Sequence, residues 1–455
     1  MEASDEKQNR PRLLVLSYDS APIVRVLGPL LRELREHADI LVLAQFPSTL
    51  RAWRREGLLA RSLRSTLGWE HGKLPDSKGV MGSVSEALEQ AVLYESTLEP
   101  TEASGWAAEA ERITARFAEL MEAWQPSLVL AWNGHTLPFK PCLAYARSMN
   151  VAVRVLERGY FPGSLFLDAE GTNSASSVKA MVNEPLPAES PAPASLIRAF
   201  VEEYVPIVEQ GTSRSLERVS LQERLGLAAD CVLFLMPEQL DHDSNTVLFC
   251  DTVSSNLEMV QACVDCLSKR AEKDVYLLFK PHPESEAELS EVAEVLGECG
   301  VVVRGVPLPE LLGGVDAVIT RNSTLGLEAL LFGKRVIALG EAIYTGLGMT
   351  EDVRTLEALP GALEGVLLRP SLSSLEMGVL ERLVGHLHAH HHYFGRPDAS
   401  GQRSNTFQIR DLSTQLGSEP KGLSVELRAL PWAVRLAERL WECRLWTREL
   451  RGRFL

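Results

Sequence analysis

The chain has 455 residues, of which 45% are hydrophobic, and a formal net charge of −15 at pH 7. This length exceeds one ordinary hydrophobic core, so we expect two α/β domains of roughly 150–220 residues each. The acidic balance argues against a nucleic-acid binder, because phosphate backbones are held mainly by clustered Lys and Arg.

The cysteines and the termini bear on the cellular compartment. Seven cysteines are scattered through the chain and form no compact disulfide framework, which fits a reducing cytoplasm. Cys263 and Cys266 form a lone C-x-x-C, for which we expect neither a metal nor a redox role. Residues 1–10 are polar and predict a disordered tail without a secretory signal. No apolar run is long enough to span a bilayer, so the expected location is the cytoplasm, with association at the inner membrane as an alternative.

The first half of the chain alternates strands and helices. Short buried-type strands alternate with amphipathic helices, which predicts parallel β-α-β units. The pattern places strands at 12–17, 38–44, 127–132 and 151–157, and helices at 24–37 and 138–149, with a long, mostly helical region between the second and third strands. The first unit lacks G-x-G-x-x-G, so the specific dinucleotide fingerprint is absent.

Polar residues follow two of these strands where each strand ends. Trp132-Asn133-Gly134-His135 follows one, and the run from Glu157 to Pro162, ERGYFP, follows the other. Ligands of open parallel sheets bind at the carboxyl ends of strands, where loops present polar groups without breaking the ladder. We therefore expect these loops to face a ligand.

A second α/β sheet is predicted after a Pro-, Ala- and Ser-rich stretch at 183–195, which is typical of a linker or surface excursion. Its predicted strands are 231–237, 275–280, 301–305, 316–320 and 335–340. Helical patterns lie between them, so the second half repeats the α/β organisation of the first.

Two loops of the second sheet predict a phosphate site. Lys280-Pro281-His282-Pro283 follows one strand and offers a permanent cation beside a tunable donor. The run 321–329, RNSTLGLEA, follows another strand and begins a helix, where free N–H groups and hydroxyls favour anions. Each motif alone has an ordinary explanation, a rigid loop or a helix cap, but both loops leave the same predicted sheet and can converge.

An acidic run at another strand end supplies candidate catalytic groups. Residues 237–244 read PEQLDHDS, and Asp243 can act with Glu157 of the first half. Two carboxylates across a sugar allow acid/base division or a covalent intermediate, depending on their separation. A solvated acidic turn is the plain alternative.

Two further features stand apart. Residues 386–392, HLHAHHH, contain half of the ten histidines, and helical pairs such as His386 with His390 and His388 with His392 suit Zn²⁺, although no carboxylate or Cys partner is evident and we expect no metal. The segment 424–455 is Arg-rich with three tryptophans. It predicts a helix packed on the domains, with contact to an anionic membrane surface as the alternative.

Taken in order, these motifs resemble the capsule-polysaccharide β-Kdo transferase family. The matching strings are Trp132-Asn133-Gly134, the run 157–163 with 168–173, Gln239 with Asp243-Ser244, the K-P-H-P motif and the run 323–350. The resemblance covers about 130–350. The sequence departs from the family around Met236-Pro237-Glu238 and at Arg321, which adds charge beside the phosphate loop.

The resemblance implies a GT-B-like α/β architecture of two Rossmann-like domains facing across a cleft, with a C-terminal helical segment. The implied organisation is a tail at 1–10, an acceptor domain at 11–215, a donor-nucleotide domain at 216–400, and a loop and amphipathic helix at 401–455. It implies a retaining glycosyltransferase that moves Kdo from CMP-Kdo to a lipid-linked or oligosaccharide acceptor, without a cofactor or metal and without nucleic acid.

The resemblance also implies roles for individual residues. Asp243 would be the nucleophile, Glu157 the acid/base, and His282 a further catalytic group, with the roles of the two carboxylates also assignable in reverse. Residues that would bind the donor or line the site are Lys280, Arg321, Asn322, Ser323, Thr324, Glu328, Gln239, Ser244, Arg158, Gly159 and Asn173. The alternatives are a transferase of another nucleotide sugar or of a CDP-polyol, and a non-catalytic scaffold of a glycan-export complex.

Overall fold

The computed structural model describes residues 10–17, 21–67, 84–98, 103–161, 164–188, 190–211, 221–268, 275–283, 285 and 289–394. The described residues form two compact units. The first contains the residues up to Ser177 and the returning segment His390–Phe394, and the second is Val178–Ala389. The chain therefore passes from one unit to the other twice.

The first unit contains a seven-stranded sheet. In chain order its elements are β1 (Arg12–Ser17), α1 (Ala21–Leu34), β2 (Asp39–Ala44), α2 (Pro47–Arg55), β3 (Leu59–Ser62), α3 (Leu63–Leu67), α4 (Ser85–Leu98), α5 (Ala103–Trp124), β4 (Leu128–Trp132), α6 (Phe139–Ser148), β5 (Ala152–Arg158) and β6 (Ser164–Asp168). The strand order is β3-β2-β1-β4-β5-β6, with β13 outside β6. β1 to β5 are mutually parallel, β6 runs antiparallel to β5, and β13 runs antiparallel to β6.

Both faces of this sheet are buried. Leu13 and Val15 belong to one hydrophobic cluster and Leu14 and Leu16 to another, because successive side chains of a strand point to opposite faces. Helices pack on both faces, so the strands are almost continuously apolar, as is typical of parallel sheets. This explains why the strands of the first half were visible in the sequence.

The second unit contains a six-stranded sheet. Its elements are α7 (Val178–Met181), α8 (Pro193–Gly211), α9 (Leu221–Arg224), β7 (Val232–Pro237), α10 (Ser244–Phe249), α11 (Asn256–Leu267), β8 (Val275–Lys280), α12 (Ser290–Leu296), β9 (Gly300–Val302), α13 (Leu308–Gly314), β10 (Ala317–Thr320), α14 (Leu325–Leu331), β11 (Arg335–Ala338), β12 (Glu351–Asp352), α15 (Leu359–Leu368) and α16 (Ser374–His386). The strand order is β12-β11-β10-β7-β8-β9, and all pairs are parallel. A π-helical turn, Leu387–His391, leads to β13 (His392–Phe394) of the first sheet.

The predicted α/β class with two Rossmann-like units is confirmed. In both sheets the chain runs outward through three strands, returns to the centre and continues on the other side, which is the doubly wound order. The main predicted strands are present, and β3, β6, β12 and β13 are additional. β12 has two residues and β13 lies in a histidine run predicted as helical, so neither carried a strand pattern.

The unit boundaries differ from the predicted bounds at 215 and 400. The second unit begins at Val178, because α8 packs against α13, α14 and α16. Residues 390–394 belong to the first unit, because β13 pairs with β6. Among the described helices, none is both long and apolar enough to cross a membrane. Residues 1–9 of the tail predicted at 1–10 and the helix predicted within 401–455 fall outside the described residues.

Candidate active site

The switch point of the second sheet lies between β7 and β10, where the strand order reverses. In doubly wound sheets the loops at this point open a crevice at the carboxyl edge. Glu238 and Gln239 follow β7 there, the run 321–324 follows β10, and Lys280 ends the neighbouring strand β8. The structure thus brings the two predicted phosphate loops to one edge, on either side of the β7 loop.

Glu238 ties the β7 loop to the K-P-H-P loop. Its backbone N–H donates to the Lys280 carbonyl at 2.8 Å, which extends the β7–β8 ladder by one residue. Its carboxylate accepts from the His282 N–H at 2.8 Å and from the Ser285 hydroxyl at 2.7 Å. Glu238 is buried, so it acts as an anchor that holds the backbone of the His282 loop.

Gln239 ties the β7 loop to the β10 loop. Its Oε1 accepts from the Thr320 hydroxyl and from the Asn322 N–H, both at 3.0 Å, and its Nε2 donates to Asn322 Oδ1 at 2.9 Å. Asn256 exchanges two more hydrogen bonds with the Gln239 backbone, at 3.1 and 2.7 Å. Asn322 and Asn245 each donate from the side-chain amide to the other's carbonyl, at 2.8 and 3.0 Å.

This amide network is buried, which determines what its members can do. Gln239, Asn322 and Asn245 are all more than nine-tenths buried, and their amides bond to one another or to the backbone. Buried polar networks of this kind rigidify the loops that carry them. Gln239 and Asn322 therefore hold the switch-point loops in place.

Arg321 is likewise turned inward. It is 2% exposed, and its guanidinium donates to Asp241 Oδ1 at 2.5 Å and to the Ser254 carbonyl at 3.2 Å. The charge that Arg321 adds at the end of β10 is therefore paired with a carboxylate of the β7 loop. The pair links the same two loops as Gln239 and Asn322.

Ser323 and Thr324 are the more accessible residues of the β10 loop. Thr324 is exposed and its side chain makes no capping hydrogen bond to α14. The Ser323 hydroxyl accepts from the Leu325 N–H at 3.2 Å, and its carbonyl accepts from the Tyr344 hydroxyl at 2.6 Å. A Cβ at Gly326 would come within 2.2 Å of that hydroxyl, so glycine is required there. Glu328 lies one turn into α14 and is half-buried.

Lys280 and His282 are partly exposed at the same edge. The Lys280 ammonium donates to the Val306 carbonyl at 3.2 Å, and burial lowers its pKa. One hydrogen bond leaves two of its three N–H protons for another acceptor. Ser244 is buried in the first turn of α10.

Asp243 caps α10. Its Oδ1 accepts from the Asn245 N–H at 2.8 Å, a typical N-cap hydrogen bond, and the residue is exposed. The sequence prediction of a reactive carboxylate and the plain structural role therefore fall on one side chain. A variant that keeps the cap can separate them.

Glu157 belongs to the first unit, at the carboxyl end of β5. Its carboxylate accepts from the Arg158 N–H at 2.9 Å and from Asn133 Nδ2 at 3.4 Å. Asn133 has a φ of 64° in the turn that follows β4, so the W-N-G-H loop and the E-R-G loop meet at neighbouring strand ends. His135 of that loop lies 2.9 Å from the Thr172 hydroxyl, and burial lowers its pKa to about 4.

The E-R-G-Y loop is packed against the returning strand β13. A Cβ at Gly159 would lie 1.9 Å from Ser164 Oγ and 2.7 Å from His392 Cδ2. The Tyr160 N–H donates to His392 Nε2 at 2.9 Å, and the Tyr160 hydroxyl donates to Asn173 Oδ1 at 3.4 Å. Arg158 is exposed. Gly159 and Asn173 therefore take part in packing that shapes this loop.

The histidine run is divided between the two units. His386 ends α16 in the second unit, with Nε2 3.1 Å from the Glu184 carbonyl, whereas His391 and His392 pack in the first unit around Phe166. Within the described part of the chain, no group of three or more His, Cys, Asp or Glu is placed to hold a metal. The helical pairs do not form, because the helix changes to a π-turn and then to β13.

Several residues of these loops were not predicted as site residues. Glu238 lay in the acidic run that supplied candidate catalytic groups but was given no role of its own, although it directly follows a buried strand. Asn245 and Asn256 look like ordinary helix starts in the sequence. Tyr344 lies 21 residues from Ser323, and no local pattern links the two.

Two sheets in doubly wound order, each with polar loops at its carboxyl edge, place the protein in the α/β class with two Rossmann-like units. Residues 201–360 match the family described as "Capsule polysaccharide biosynthesis protein". This matched region contains the loops that follow β7, β8 and β10 of the second unit.

Individual relatives align over parts of the chain. The lipopolysaccharide-processing protein LpsZ of Rhizobium meliloti is 29% identical over 122 residues, which are 26% of this chain and 27% of LpsZ. Protein FixF of Sinorhizobium fredii is 30% identical over 226 residues, which are 49% of this chain and 50% of FixF. The aligned regions thus span half or less of these relatives. Among solved structures, Thermosulfurimonas dismutans KpsC, a β-Kdo 2,7 transferase, is 14% identical with a TM-score of 0.46, covering 89% of this chain and 98% of that chain.

Proposed function

We propose that this protein is a retaining glycosyltransferase of capsule-type polysaccharide biosynthesis that transfers Kdo from CMP-Kdo to a lipid-linked or oligosaccharide acceptor. The observation that carries the proposal is the meeting of the K-P-H-P and R-N-S-T loops at the switch point of the second sheet. This edge lies inside the region matched to the capsule family. The choice of Kdo rests on the sequence motifs.

The donor would occupy the carboxyl edge of the second sheet. Lys280, His282, Ser323 and Thr324 would bind its phosphate, because these residues are partly or fully exposed and carry N–H or O–H donors. Gln239, Asn322 and Arg321 would act from beneath by fixing the loops, because all three are buried and bonded within the protein. The residues that would contact the donor are thus different from the residues that would hold the loops in place.

The chemistry would be a double displacement. Asp243 would attack the anomeric carbon of the donor as CMP leaves, forming a glycosyl ester, and the acceptor hydroxyl would then displace Asp243 with its proton passing to Glu157. Two inversions retain the configuration. The roles of the two carboxylates can also be reversed.

Donor binding is tested by titrating CMP into the Lys280→Ala variant and a matched control. We expect CMP affinity to fall roughly tenfold, the value of a charge-assisted hydrogen bond. Lys334→Ala is the control, because Lys334 is also a half-buried lysine of this unit that donates to a backbone carbonyl, at 3.3 Å. Equal affinities of the two variants would remove Lys280 from the donor site.

Turnover is tested with Asp243→Asn, because Asn is as good a helix cap as Asp but cannot act as a nucleophile. We expect CMP release from CMP-Kdo with acceptor to be lost while CMP still binds within about twofold. Turnover at the wild-type rate would show that Asp243 is not the nucleophile. Use of another sugar nucleotide or a CDP-polyol instead of CMP-Kdo would replace the donor but keep the transferase, and CMP binding without any turnover would favour the scaffold.

A further inference from the structure

A pocket of about 300 Å³ lies at the amino edge of the first sheet, where β1, β2 and β3 begin and α5 ends. Arg10, Arg35, Asp39, Leu58, Leu59 and Trp124 are among its lining residues. The E-R-G loop lies at the carboxyl edge of the same sheet. A six-residue strand separates the two edges by roughly 17–20 Å. The pocket is therefore separate from the E-R-G loop of the same unit.

The two arginines of the pocket are held by the backbone. Arg10 donates to the carbonyls of Arg35 at 2.5 Å and Ala38 at 3.2 Å, and Arg35 donates to the Glu56 carbonyl at 3.2 Å. Gly57 has a φ of 76°, and a Cβ there would lie 3.2 Å from the Arg35 guanidinium. Each guanidinium has five N–H donors, so these bonds orient the group without exhausting it.

The charges and walls of the pocket indicate the ligand class. Asp39 is the one carboxylate among the lining residues, and its Oδ1 lies 3.8 Å from Arg10 Nε. With two guanidinium groups and one carboxylate, the lining carries a net positive charge, although the whole chain has a net charge of −15. Leu58 and Trp124 are buried in the wall, and Leu59 is 46% exposed. Guanidinium donors beside an apolar surface suit an anion that is attached to an apolar body.

We propose that this pocket binds a small organic anion with an apolar body, such as an aromatic sulfonate, carboxylate or phosphate ester. Arg10 and Arg35 would bind the anionic group, and Leu58, Leu59 and Trp124 would contact the apolar part. A cavity of this volume is at the lower end of the range for small-molecule sites, so the ligand is compact. The inference stands independently of the transferase proposal, because it uses a different edge and different residues.

The probe is 8-anilinonaphthalene-1-sulfonate, titrated into the full chain and followed by fluorescence and calorimetry. We expect saturable 1:1 binding that weakens roughly fivefold in Arg10→Ala and in Arg35→Ala. Arg369→Ala, which removes an exposed, ion-paired arginine of the second unit, is the control and leaves the affinity unchanged. The neutral analogue N-phenyl-1-naphthylamine, with the same rings and no sulfonate, binds at least about fivefold more weakly.

Asp39→Asn separates binding from folding. Removal of the opposing carboxylate makes the probe bind about two- to threefold more tightly. The 1:1 stoichiometry measured by calorimetry distinguishes this gain from the binding of several dye molecules by a partly unfolded chain. The proposal is overturned if neither arginine variant changes the affinity, if the neutral analogue binds as tightly as the sulfonate, or if Asp39→Asn fails to strengthen binding.

Discussion

At the scale of single residues, Gly159 shows how closely the E-R-G-Y loop is packed. A Cβ there would overlap Ser164 Oγ at 1.9 Å and press on the His392 ring at 2.7 Å. We expect Gly159→Ala to lower the free energy of unfolding by about 1–3 kcal/mol, because the Ser164 backbone also lies 2.9 Å from that Cβ and the Ser164 hydroxyl is bonded to the Phe161 carbonyl. Urea denaturation measures the change.

Gly361→Ala is the matched control for Gly159→Ala. Gly361 lies in α15, and a Cβ there would meet no atom within 4 Å. Alanine in a helix should leave the protein unchanged or stabilise it by up to about 1 kcal/mol. If the two alanine variants unfold at the same urea concentration, the packing account of Gly159 is wrong.

Asp168 should make the first unit acid-sensitive. Burial opposes its ionisation, but hydrogen bonds from His391, Gly171 and Ser177 outweigh burial and lower the pKa of Asp168 below 3.8. A carboxylate whose pKa is lower in the folded state than in the unfolded state stabilises the fold at pH values above its unfolded-state pKa. This stability is lost as the pH falls through the folded-state pKa.

We expect Asp168→Asn to lower the free energy of unfolding by about 2–4 kcal/mol at pH 7, because it removes a buried charge that accepts several hydrogen bonds. The difference from wild type should begin to shrink below about pH 4, where the unfolded wild-type chain takes up the proton, and its charge-dependent part is lost once the pH falls through the lower folded-state value. Denaturation curves at pH 7 and pH 3.5 test this. A difference that is equal at both pH values would contradict the ionised carboxylate.

At the scale of elements, the amide network of Gln239 joins the ends of β7 and β10. Gln239→Glu keeps the shape but turns the Nε2 donor into an oxygen that faces Asn322 Oδ1, 2.9 Å away in the native structure. We expect the free energy of unfolding to fall by about 2–3 kcal/mol, because one buried hydrogen-bond acceptor then faces another. CMP binding should weaken as well, since the β10 loop loses its anchor.

Gln261→Glu provides the comparison on α11. Its Nε2 also donates to an oxygen, Asp265 Oδ1 at 2.8 Å, but this pair is exposed. Gln261→Glu should lower the free energy of unfolding by less than about 0.5 kcal/mol, because water solvates both carboxylates. Similar urea midpoints for the two variants would show that burial of the network is unimportant.

At the scale of the whole molecule, the two units have separate cores, and the returning strand β13 belongs with the first. Asp168 lies in the first unit. Glu376 lies in the second, in a capping box with Ser373, and accepts from buried Arg335 at 2.5 Å. Burial opposes its ionisation, but the bonds from Ser373 and Arg335 lower the pKa of Glu376 to about 2.

Hydrogen exchange followed by mass spectrometry can test which segments unfold together. We expect Asp168→Asn to speed exchange in the first unit, including residues 390–394, and Glu376→Gln to speed exchange mainly within 178–389, because local unfolding follows contiguous packed units. The peptide that contains β13 is decisive. If its exchange follows Glu376→Gln and not Asp168→Asn, the segment belongs to the second unit.

Much of the fold was predictable, because its strands are short apolar runs buried on both faces and its helices are amphipathic. β1, β4 and β7 were therefore found close to their observed bounds. β13 was not, because its three residues, HYF, carry no strand pattern and acquire one only by pairing with β6. The boundary at Val178 was missed for a similar reason, since α8 is assigned to the second unit by its packing.

The sequence by itself determined the α/β class and the loops that would carry polar groups, because strand ends and their motifs are local patterns. Only the tertiary structure decided which of those polar residues remain available to a ligand. Gln239 and Asn322 are 83 residues apart, and Arg321 and Asp241 are 80 apart, yet each pair is bonded in the fold. Whether a polar side chain is bonded within the protein or available to a ligand depends on the residues at the neighbouring strand ends. The strand order of the sheet determines which residues those are.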